Sequence, residues 1–238
     1  MPLVFSLNYR ILILFAVLLP VLLCLGEWQL RRAAEKDAIQ TAYIKRQMQS
    51  PLTFDQLITQ ADIAFAPVQL RGSYDSGHTF LLDNRVHAGQ VGYEVLVPFQ
   101  LESGEWIILN RGWLKAPALR SELPDIPTLP DSVVELQADV YVPPGEGFQL
   151  SGMETSRTEW PRVITVFDSV FMAEQLNRKL FPYQLRLQTN MPGALIIDWP
   201  AINVSPEKHR AYALQWFAMA AALLVWLVVA SVSIRKKP

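Results

Sequence analysis

Ile107 to Trp113 reads IILNRGW, an apolar run that breaks into Asn110, Arg111 and Gly112 before a tryptophan. In an extended chain, alternate side chains face opposite ways. Trp106, Ile108 and Asn110 therefore share one face, and Ile107, Leu109 and Arg111 the other. Both faces are apolar ahead of the polar pair, which predicts a central strand covered on both sides. Phe80 to Arg85, FLLDNR, repeats the pattern, so two apolar strands each end in an Asn-Arg pair. Arginine carries five donors in a rigid fork that suits carboxylate or carbonyl partners. Asp83, two residues before Arg85 and on its face, is a candidate partner across neighbouring strands. Two readings stand side by side: a structural strand end, in which arginine meets a carboxylate and caps loop carbonyls, and a site for an anion or a partner protein.

The neighbouring sequence supports the strand reading. PVQLRGSYD, HTFLLDNRV, GYEVLVPFQL and EWIILNRGWL are separated by turn signals at Asp75-Ser76-Gly77, Ala88 to Gly92, and Glu102-Ser103-Gly104. This spacing predicts an antiparallel meander. A fifth strand, VVELQADVYV, follows a crossing that contains Pro117, Pro124, Pro127 and Pro130. Residues 143–163 read as a loop. A helix is predicted over Ser169 to Leu180, with Val170, Phe171, Met172, Leu176 and Leu180 on its apolar side. PYQLRLQTN and ALIIDW are the last two predicted strands. Upstream, a helix running to about Gln49 is ended by Pro51, and Thr53 with Gln56 forms a capping box for a short helix. The expected fold is an α+β domain, an antiparallel sheet or partial β-barrel with a packed helix, between two transmembrane α-helices.

The two ends carry the membrane signal. Residues 1–26 and 211–238 contain no Asp or Glu, and the segment between them holds all 22 acids and a net charge of -5. Ala211 to Ile234 has no ionisable group except Tyr212. As a helix it would cover about 36 Å, more than the hydrocarbon thickness of about 30 Å. Arg235, Lys236 and Lys237 follow and favour a cytoplasmic C-terminus. The N-terminal run, Ile11 to Gly26, admits three readings: an uncleaved anchor, a secretory signal, or a lipoprotein signal at Cys24. Leu22, Leu23 and Leu25 are too bulky for either cleavage site, and the helical pattern continues without a breaker through Trp28 to Lys36. An anchor kinked at Pro20 is the expectation.

The resulting layout is a cytoplasmic N-terminus over 1–10, a first span over 11–30, and an external domain over 31–208. A second span over 209–234 and a cytoplasmic tail over 235–238 complete it. No Arg- and Ser-rich transit segment precedes the first span, which favours a bacterial inner membrane with the main domain periplasmic. Cys24 is the only cysteine, so the external domain has neither a disulfide nor a cysteine nucleophile.

No hydrolase, metalloprotease or phosphate-loop signature is present, and an enzyme is not expected. The charge balance argues against nucleic acid. His78 and His87 flank the second strand and read as solvated loop histidines. His209 lies at the mouth of the second span, with Tyr212, Ala213 and Trp216 on the same helical face. A histidine above an aromatic stripe suits a haem iron, while the same residues also suit an interfacial anchor.

These features resemble the Surfeit-locus-one family of membrane assembly factors for cytochrome c oxidase. The resemblance runs through LGEWQLRRAAEK, RGSYD, LLDNRVHAGQVGYEVLVPF, GEWIILNRGW and EKHRAYALQWFAMA. It implies a role in maturing the catalytic subunit of a haem-copper oxidase, with haem a as cargo and haem a synthase as a further partner. His209 matches the family's haem-binding histidine, and Trp216 its aromatic neighbour. Tyr212 joins them as a candidate contact. Gly72, Tyr74, Asn110, Arg111, Gly112 and Trp113 match external motifs implied to serve fold integrity or partner contact, and Asp83, Asn84 and Arg85 lie in the same class. The alternative is a membrane-anchored scaffold or sensor domain without cofactor.

Overall fold

The computed structural model describes residues 3–5, 9–143, 159–200 and 204–234. The basic tail at Arg235 to Lys237 and most of the 143–163 loop lie outside these residues. The chain divides into two compact units, Ile44–Trp199 and the two terminal segments Met1–Tyr43 with Pro200–Pro238.

In the first of these units the predicted strands form close to their expected positions. They are β2 (Pro67–Tyr74), β3 (Phe80–His87), β4 (Gln90–Leu101), β5 (Trp106–Lys115), β6 (Val134–Tyr141) and β8 (Leu180–Leu187), while a short β7 (Arg162–Ile164) begins where a loop is expected. The sheet order is β2-β6-β8-β5-β4-β3-β7, and β2 also pairs with β4. That extra pairing closes β2, β6, β8, β5 and β4 into a five-stranded barrel, from which β3 and β7 extend. Neighbouring strands are antiparallel except in the parallel pairs β5–β8 and β3–β7.

Closure depends on Gly72, which faces both Val134 of β6 and Leu101 of β4. A Cβ at Gly72 would lie 2.0 Å from the Gln100 carbonyl oxygen, so only glycine lets β4 approach this closely. Val68, Leu70, Phe99, Leu101, Ile107, Leu109, Leu136 and Leu185 fill the barrel. Ile108 points the other way and packs with Phe80, Leu82, Leu96 and Met172. The strand alternation read from IILNRGW is therefore the one observed, and Ile107 to Trp113 are all buried. The Pro-rich crossing covers a third cluster through Leu123, Ile126 and Leu129, which pack over Leu81, Val95 and Val97.

The helices correct the sequence reading in detail. The short α2 (Phe54–Ile58) opens with the reciprocal capping box of Thr53 and Gln56. The α3 helix (Ser169–Leu176) is capped by Asp168 and ends at Asn177 in a left-handed conformation, φ 51°, rather than continuing to Leu180. Asparagine tolerates that turn, and Leu180 then starts β8. Val170, expected on the apolar face, is 68% exposed, while Met172 and Leu176 are buried. ALIIDW forms no strand. Only Ile196 bridges, to Trp113, because the segment is held at the end of β5 by a few backbone bonds.

The other unit holds α1 (Tyr9–Gln47) and α4 (Pro206–Ser231). Both are long and apolar enough to cross a membrane, as befits a two-pass membrane protein. Pro20 lies within α1. The second helix stops three residues before the predicted Ile234. Val232–Ile234 forms β9, antiparallel to β1 at Leu3–Phe5. A β-branched residue at each end of Val232–Ile234 favours the extended form. Leu22 and Ala33 of α1 and Ala213 and Ala220 of α4 are buried.

Candidate functional site

The two Asn-Arg pairs lie on strands to either side of β4, and one acid links them. Asn110 Nδ2 donates to Glu94 Oε2 at 2.6 Å and to Gln184 Oε1 at 3.0 Å, and its Oδ1 accepts from the Gly112 amide at 3.1 Å. Arg85 Nε lies 3.7 Å from Glu94 Oε1. Glu94 was not anticipated from sequence. Its only signal is one acid in the otherwise apolar run YEVLVPF.

Asp83 is not the cross-strand partner expected. It accepts from its own neighbour's amide at Asn84 and from Arg120 at 3.4 Å. A register shift between Leu82 and Arg85, with Asn84 at φ 59°, turns Asp83 toward the crossing instead.

Arg111 is 1% exposed and meets no carboxylate among the described residues. Its Nε donates to the Gly193 carbonyl at 2.7 Å and its Nη2 to the Pro127 carbonyl at 3.0 Å. It thus ties two loops to the end of the barrel. Burial pulls the guanidinium below its ordinary range, with Tyr74 opposing. Tyr74 donates to the Pro192 carbonyl at 2.7 Å, packs edge-on against Phe99, and has its phenol pushed up by burial.

Gly112 follows at φ 117°, where a Cβ would lie 2.5 Å from the Ile196 carbonyl oxygen. Trp113 exchanges backbone bonds with Ile196, and its Nε1 donates to the Arg85 carbonyl at 2.9 Å. Asn110, Arg111, Gly112, Trp113 and Arg85 therefore form one connected corner. Gly72 joins it through the barrel seam, and Tyr74 through the 192–193 loop and its electrostatic effect on Arg111.

The loop histidines are not free in solvent as expected. His78 Nδ1 lies 2.9 Å from Asp75, its ring meets Trp160 edge-on, and Arg178 also pairs with Asp75. Burial raises the Asp75 carboxyl, but the hydrogen bonds from His78 and Arg178 outweigh it and hold the group below the usual carboxylate range. His87 Nδ1 lies 3.2 Å from Asp198, and its ring tilts against Trp113.

His209 sits in the first turns of α4, half-buried. Its Nδ1 is 2.7 Å from Gln29 Oε1 of α1. An amide oxygen only accepts, so Nδ1 is the donor in this contact, and Nε2 is left outside it. Arg210 next to it pairs with Asp37. The predicted shared face divides: Ala213 is buried, Trp216 is half-buried, and Tyr212 is 53% exposed. No group of three or more metal-ligating side chains occurs among the described residues.

The SURF1 family model matches residues 16–221, from within α1 to within α4. Uncharacterised SURF1-like proteins of Mycobacterium bovis and of two Mycobacterium tuberculosis strains are each 25% identical to it over 201 residues. These alignments cover 82% of this chain and 72% of each relative. Two apolar helices flanking one α+β domain, matched over most of its length, place this chain in the SURF1 family of cytochrome oxidase assembly factors.

Proposed function

We propose that this chain assists maturation of the catalytic subunit of a haem-copper oxidase by holding haem a at His209 and passing it on. The supporting observation is the bond between His209 Nδ1 and Gln29 Oε1. A histidine that ligates iron commonly donates its other ring N–H to an oxygen, which fixes the tautomer and the ring orientation. Here Nε2, outside that contact, is the atom that would hold the iron. Trp216 and Tyr212 would flank the macrocycle with aromatic surface.

Haem a is cargo in this reading, and it supplies the redox chemistry only after transfer. The chain's own part is to orient one ring nitrogen at the head of a membrane helix. The main domain is periplasmic, both termini are cytoplasmic, and haem a synthase is the upstream partner. The membrane is a bacterial inner membrane.

The test is to purify the chain from cells that make haem a and record its absorption spectrum. The wild type should carry haem, His209→Ala should lose it, and Gln29→Leu should retain it with weaker affinity. Haem-free wild type, with oxidase haem content nonetheless lost in a deletion strain, would leave assembly and remove the ligand role. Normal oxidase haem in that strain favours the cofactor-free scaffold.

A further inference from the structure

We propose that the cavity beside Arg111 binds a carboxylate carried on a small apolar body. The cavity is about 380 Å³ and is lined by Arg111, Thr79, Thr128, Ile126, Leu129 and Trp160. Two facts about Arg111 point to an anion. It is 1% exposed, and both of its partners are neutral backbone carbonyls. Its Nη1 has no hydrogen-bond partner among the described residues. A buried guanidinium without a counter-charge is costly, and Arg111 is the one cation among the side chains that line this cavity.

The walls define the rest of the ligand. Ile126, Leu129 and Trp160 offer apolar surface, and the Thr79 hydroxyl, on a residue 8% exposed, adds a polar contact. Asp131 also lines the cavity but is exposed, and no ion pair joins it to Arg111. A ligand with its carboxylate toward Arg111 and its apolar end toward Trp160 satisfies all of these. A ligand of opposite charge would leave Nη1 unmatched. None of these residues belongs to the unit that carries His209, so the inference stands apart from the haem reading.

The probe is benzoate, compared with benzamide, titrated against the full chain in detergent with tryptophan fluorescence and thermal unfolding as readouts. Benzoate should bind saturably and raise the unfolding temperature, and benzamide should bind at least about tenfold more weakly. Arg111 variants risk losing the fold, so two others carry the test. Thr128→Phe, at an exposed position, fills the cavity without touching Arg111 and should abolish binding. Asp131→Asn removes a like charge and should tighten benzoate about twofold. His209→Ala should leave benzoate binding unchanged. Equal binding of benzoate and benzamide, no binding of either, or binding that survives Thr128→Phe would overturn the proposal.

Discussion

Asn84-Arg85 and Asn110-Arg111 follow the apolar runs of two strands beside β4 that continue past them to His87 and Lys115, not the strand ends the sequence suggests, and their surroundings are opposite. Asn84 is exposed and left-handed, and Arg85 keeps 41% of its side chain in solvent. Asn110 is 0% exposed and Arg111 1%. Both pairs border a bulge against β4, one in the strand that extends from the barrel and the other in a barrel strand covered by the Pro-rich crossing and the 193–196 segment. The same dipeptide is a surface irregularity in one place and the knot between two loops in the other. What differs is the covering each strand receives.

This contrast is open to direct attack. The largest effect should come from Arg111→Ala, which orphans the Pro127 and Gly193 carbonyls and leaves a void. A loss of about 3 kcal/mol or more is expected. Arg85→Ala should cost less than about 1 kcal/mol, since its ion pair is long and half in solvent. Denaturant unfolding of the two variants side by side checks this, and equal losses would end the distinction between buried knot and surface bulge.

An intermediate effect belongs to the β2–β3 turn, which borders the Arg111 cavity. Asp75 is held below the ordinary carboxylate range by His78 and Arg178. Its contribution is therefore present above the unfolded carboxylate value, near pH 4, and is lost as pH falls through the lower folded value. Thermal unfolding between roughly pH 6 and 2 should show an acid limb that Asp75→Asn flattens, at a neutral-pH cost of about 1 kcal/mol. An unchanged limb would assign acid sensitivity elsewhere.

The smallest effect is expected of Asn84→Gly. Glycine relieves the left-handed backbone but loosens the unfolded chain, and the two nearly cancel within about 0.5 kcal/mol. A large loss would mean that the exposed pair also bears structural weight.

Much of the β domain could be read in advance because its signals are local. Alternation set the two faces of β5, turn residues separated the strands of the meander, and Thr53 with Gln56 announced a cap that formed as written. The two membrane helices followed from length and the absence of charge. The misreadings share another cause. Leu180 and ALIIDW looked like continuations of periodic runs, but Asn177 ends α3 and the 193–196 segment is claimed by Gly112 and Trp113. Asn177 is a stop signal inside its run that apolar periodicity alone passes over, whereas the partners that claim ALIIDW lie far upstream. Glu94 was missed for the same reason, since its partners lie on two other strands.

For the candidate sites, sequence alone determined which residue types were available: an imidazole at the mouth of an apolar helix, and an arginine at the end of a buried strand. The residue types follow from side-chain chemistry and periodicity, which need no neighbour, although Arg111 lies within β5 and not at its end. Only the tertiary structure decided what those groups face. Gln29, 180 residues from His209, sets the histidine's protonated nitrogen, and two loop carbonyls hold Arg111 while one nitrogen stays unmatched. Tautomer, charge compensation and cavity shape are relations between distant segments, and they arise only when the chain is packed.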